Sequence, residues 1–159
     1  MRGTPDAYPF PTFPAPLRFT IALVLLTVPV VAGFLFAFPA IFPLASGATL
    51  LGLAVYGIVN GTMEEVFWRG TFARRFASNP WLGIVYPAMV FSLWQLVPWT
   101  VYPPLLQVPP LMVIGVALPV GLLYSWVVWW TGSIRWTVLS HVLTNMSGIG
   151  AMVIFGPGW

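Results

Sequence analysis

Cysteine is absent from this chain and so is lysine, and acidic residues number three in 159. The first absence excludes disulfides, thiolate metal sites and cysteine nucleophiles. With no lysine and six arginines that form no cluster, the chain offers no basic face to nucleic acid. The sequence pI of about 9.8 therefore records a scarcity of charge rather than a polyanion-binding surface. Charged residues make up 6% of the chain, against roughly 25% in an average soluble domain, while 59% of it is hydrophobic. No solvated surface can be built from that composition. Apolar runs of about 18 residues or more point to membrane spans, and the expected fold class is an all-α polytopic membrane protein.

Five spans are expected, at about Phe19–Phe38, Ala48–Ala77, Trp81–Trp99, Leu111–Trp130 and Arg135–Phe155. Pro29 should kink the first, Pro98, Pro103 and Pro104 should end the third, and Pro119 should interrupt the fourth. Residues 1–18 read as a Pro-rich arm that cannot be helical throughout, with Tyr8, Phe10 and Phe13 suited to the cytoplasmic membrane interface. The apolar run after Arg18, about 22 residues, is longer than the apolar core of a secretory signal. Residues 19–159 then form a single transmembrane domain. Arg2, Arg18, Arg74, Arg75 and Arg135 all fall on one side of this layout, and the other loops and the tail carry no charge. By the positive-inside rule the amino end is cytoplasmic and the carboxyl end lies opposite, an arrangement suited to the bacterial cytoplasmic membrane.

The remaining charge is concentrated in TMEEVFWRGTFARR, Thr62 to Arg75. Helix rise places Glu64 and Glu65 roughly 15 Å inside the membrane from Arg74 and Arg75, near the midplane. A charged side chain there costs at least ~2.5–3.5 kcal/mol, so partners are required. Glu65 and Arg69, four residues apart, share a helical face and can pair. Glu64 points about 100° away, on a stripe with Tyr56 and Asn60. Gly57 and Gly61 form a GxxxG pair that lets a neighbouring helix approach beside the carboxylates. An ion pair that only locks helix packing explains Glu65 and Arg69 but leaves Glu64 without a purpose. Elsewhere, FSLWQ carries Phe91 and Gln95 four apart, and SHVLTN carries His141 and Asn145 four apart. Counted from Arg135, His141 is about 9 Å deep and Asn145 about 15 Å, the level of Glu64.

These residues resemble the CPBP family, the CAAX-processing and bacteriocin-processing membrane proteases also called the Abi family. Its signature is EExxxR on one helix, FxxxH on the next and HxxxN or HxxxD on a later one. EEVFWR (Glu64 to Arg69) fits the first and HVLTN (His141 to Asn145) fits the third, within a resemblance covering about residues 52–150. Where the second motif has histidine, this sequence has Gln95. The resemblance implies a glutamate-dependent intramembrane endopeptidase acting on a prenylated or membrane-associated peptide. Glu64 would be the general base, Glu65 and Arg69 the supporting pair, and His141 with Asn145 the oxyanion hole. Gln95 would take the water-holding place; its amide can hold water but cannot change protonation state, which impairs or abolishes acid–base chemistry that relies on imidazole.

Two other readings stay open. In one, the chain is a non-catalytic subunit or chaperone of a larger membrane complex. Nine tryptophans, with Trp126, Trp129 and Trp130 grouped on span four, would face a membrane protein, lipids or a pigment, or form an interfacial belt. In the other, Glu64 and His141 move protons on a lipophilic small molecule. No cofactor is expected, and no metal, because His141 and the two glutamates fall short of three free ligands once Glu65 is committed to Arg69.

Overall fold

The computed structural model describes residues 15–97 and 109–149. The aromatic residues of the arm, Pro98, Pro103 and Pro104, and the end of the fifth expected span lie outside the described residues. Within them the chain folds into five helical rods and no strand. Helix α1 runs Ala15–Ala32, continues through a π turn at Gly33–Ala37 and ends in Phe38–Ile41. Helix α2 is Gly47–Glu64, a π turn at Glu65–Thr71, then Phe72–Arg75. Helix α3 opens with a π turn at Trp81–Val85 and runs Tyr86–Trp94. Helix α4 is Pro110–Thr131, and α5 is Arg135–Thr144 followed by a π turn at Asn145–Ile149.

Local chemistry sets the ends. Ser46 caps α2, its hydroxyl accepting from Thr49 N–H at 3.1 Å. Asn79 does the same for α3, accepting from Trp81 N–H at 3.1 Å and Leu82 N–H at 3.3 Å. Gly132, at φ 71°, closes α4 in the left-handed region that suits glycine. The fourth span matches its expected limits to within one residue. The third helix stops at Trp94, short of the expected Trp99, with Gln95 at its C-cap. That stop leaves α3 about 20 Å long, less than the hydrocarbon thickness. Pro29 and Pro119 are both accommodated inside their helices.

The segments 16–37 and 110–131, 22 residues each, are long and apolar enough to cross a bilayer. Polarity is distributed inside out. Phe36 is 79% exposed and Leu111 80%, whereas Glu65, Arg69, Ser125 and Thr137 are fully buried. Water would invert that arrangement; hydrocarbon favours it. The protein is an all-α membrane protein.

Helix α5 lies between α1 and α2, and α4 packs against α1, α3 and the π turn of α2. The α2–α5 contact depends on the GxxxG pair. A Cβ on Gly61 would sit 3.0 Å from Val142 N, and one on Gly57 would sit 2.9 Å from Met146 Cγ. The neighbour that the glycines admit is thus the helix carrying His141. At one end of the bundle Arg18 caps α4, its guanidinium 5.7 Å from the Trp130 ring and 3.5 Å from the Trp130 carbonyl. Of the three α4 tryptophans that could face a partner, lipid or the interface, one turns inward. Trp129 is buried and donates its indole N–H to Ala77 O at 2.8 Å, and Trp126 and Trp130, half-buried, stack on each other at 4.8 Å.

Candidate active site

Three helices deliver the polar residues to one place. The α2 backbone widens into its π turn immediately at Glu65, so the two adjacent glutamates straddle the junction. Such π turns are rare and cluster at functional sites.

Glu65 Oε1 forms an ion pair with Arg69, 2.9 Å from its Nη1, and accepts a hydrogen bond from His141 Nδ1, also at 2.9 Å. Both Glu65 and Arg69 are fully buried, so each charge depends on the other. Aromatic faces complete the guanidinium's surroundings, with its carbon 4.2 Å from the Phe91 ring centroid and 5.6 Å from that of Tyr124. Phe91 has a second contact, edge-on to the His141 imidazole at 5.9 Å.

The opposite edge of that imidazole faces the other acid. His141 Nε2 lies 3.5 Å from Glu64 Oε2. Gln95 Nε2 donates to the same carboxylate at 3.3 Å and 3.4 Å. The ring thus wedges between two residues that point about 100° apart on α2 and touches both. Proton counting follows directly. Nδ1–H donates to Glu65, so the Nε2–Glu64 contact is attractive only with one further proton on either the ring or the acid. Arg69 balances Glu65, and that shared proton leaves the remaining pair neutral overall. A buried cluster of zero net charge with one movable proton is suited to acid–base chemistry.

Asn145 is buried one turn beyond His141, at the junction of α5 with its π turn. Its side chain makes no hydrogen bond among the described residues, and its Nδ2 is enclosed. The structure therefore assembles Glu64, Glu65, Arg69, Gln95 and His141 into one network and leaves the Asn145 amide beside it, uncommitted. No group of three metal-ligating side chains occurs among the described residues.

Sequence reasoning missed the outer support. Tyr124, fully buried on α4, lies 5.5 Å from the His141 ring, with its hydroxyl 2.8 Å from Ser140 Oγ and 3.4 Å from Thr144 Oγ1. Ser140 in turn donates to Leu26 O at 2.7 Å, tying α5 to α1. The available signal was Ser140 and Thr144 flanking His141 at helical spacing, and a tyrosine in the middle of an apolar span.

The fold and this cluster define a helical membrane protein built around a buried glutamate–arginine–histidine cluster. The family model described as type II CAAX prenyl endopeptidase Rce1-like matches residues 46–147. The chain belongs to that family, as the motif resemblance implied, and is a CAAX protease-like membrane protein. No curated protein and no solved structure matches the chain.

Proposed function

We propose that the protein is a glutamate-dependent intramembrane endopeptidase in which glutamine stands at a position the family pattern gives to histidine. The observation that carries this reading is the Glu64 carboxylate, held between Gln95 and His141 in a residue only 7% exposed. With the shared proton on His141, Glu64 is a carboxylate able to take a proton from water. The imidazolium Nε2–H then faces the same space and can donate to the oxyanion that forms on the attacked carbonyl. Asn145 supplies a second donor from its uncommitted amide. Glu65 and Arg69 hold the imidazole through Nδ1 and keep the charge balanced. Gln95 orients Glu64 but cannot exchange protons, so turnover should be slow.

The substrate in this reading is a prenylated or otherwise membrane-associated peptide that reaches Glu64 from within the bilayer. Five spans are proposed, with the end bearing Arg18, Arg74, Arg75 and Arg135 at the cytoplasmic face of a bacterial inner membrane. Purified protein in liposomes should release the carboxyl-terminal fragment of a prenylated peptide slowly, and Gln95→His should raise that rate about 10-fold or more. Mass spectrometry of the released fragment is the readout. If neither form cleaves, the protein keeps the family fold without the reaction, as a non-catalytic membrane subunit would.

A further inference from the structure

The outer face of α2 carries a shallow, open groove along one side of the helix. Leu51, Val55, Val59 and Met63 give it apolar walls, and Tyr56 and Asn60 are its polar residues. Asn60 is half-buried and makes no hydrogen bond among the described residues. Four residues, about 6 Å, separate it from Glu64 on the same helix. An amide at hydrocarbon depth with nothing to bond is costly. A lipid chain in the groove would satisfy the apolar walls and leave that amide unmet.

A peptide group would not. The carboxamide offers one acceptor and two donor hydrogens, the complement of a backbone C=O and N–H. An extended peptide rises about 3.3 Å per residue, so two residues span roughly the one helical turn between Asn60 and Glu64. We infer that Asn60 is a substrate-binding residue. It would hydrogen-bond the peptide group about two residues from the cleaved bond, with the substrate extended along α2 and its side chains against the apolar walls. This assignment rests on the endopeptidase reading and adds the substrate's path and register to it.

The test measures affinity, so it does not depend on turnover. A dye-labelled prenylated peptide, and a series N-methylated at one peptide group at a time, would be titrated into vesicles holding the full-length protein or Asn60→Leu. The expected result is about a tenfold loss of affinity in Asn60→Leu. One N-methyl position should cost the unsubstituted protein a similar factor and cost Asn60→Leu nothing further. Equal affinity for both proteins, a flat N-methyl profile, or a penalty that survives in Asn60→Leu would each overturn the assignment. Should Asn60→Leu fail to fold, the N-methyl profile of the unsubstituted protein decides alone. Intact, Asn60-dependent binding without cleavage by any form, Gln95→His included, would strike the endopeptidase reading and leave the peptide path standing.

Discussion

Glu64→Gln is expected to reduce cleavage of a prenylated peptide by about 10²–10⁴, the range associated with a positioned acid–base group. The substitution keeps size and hydrogen-bonding capacity, so Gln95 and His141 retain a partner at the same place. What disappears is the ability to accept a proton from water. The bundle should lose little stability, because Glu64 is not the acid that balances Arg69. A large drop in rate with an unchanged unfolding transition would therefore isolate the chemistry from the fold. Single-turnover release of the fragment in liposomes gives the number, and an unaltered rate would remove Glu64 from the mechanism.

Arg69→Met carries the largest expected effect on stability. It deletes a fully buried cation that lies 2.9 Å from Glu65 and between the Phe91 and Tyr124 rings. Breaking a buried pair from one side costs about 3–5 kcal/mol, mostly through the charge left behind. Adding Glu65→Gln to Arg69→Met removes that orphaned charge and should recover most of the loss. Denaturant unfolding in mixed micelles, run on both single variants and the pair, measures the coupling. The double variant should be folded yet inactive, since an amide in place of the Glu65 carboxylate can neither balance the imidazolium nor fix it as firmly. Additive losses would mean that Glu65 and Arg69 do not act as a unit.

What was legible in the sequence follows from hydrocarbon as a solvent. Ionisable side chains are so costly at that depth that each one marks the protein interior. Glu64, Glu65, Arg69, His141 and the Gly57–Gly61 pair could accordingly be placed from the sequence alone. Gln95 was also found, although its contact with Glu64 needed the short α3, whose end at Trp94 sets that amide at the helix terminus. Apolar residues carry no such mark. Leucine facing lipid and leucine facing protein look alike in a membrane span, so the inward turn of Trp129 was invisible. The π turns were equally hidden, because one extra residue per turn leaves composition unchanged. Tyr124 was overlooked for a related reason: tyrosine in a span reads as an interfacial residue until Ser140 and Thr144 are seen to bind its hydroxyl.

Central to this account is the meeting of α2 and α3 at the Glu64 carboxylate. Because the chain has no cysteine of its own, a pair introduced at Glu64 and Gln95 can be probed without background. A short bifunctional thiol reagent applied to Glu64→Cys/Gln95→Cys in native membranes should bridge the two helices. Met63→Cys/Gln95→Cys should not be bridged, since Met63 is 65% exposed and one residue turns the side chain about 100° toward lipid. Efficient bridging of the first pair alone is the predicted result. Bridging of the second pair in its place, or of neither, would contradict a shared site.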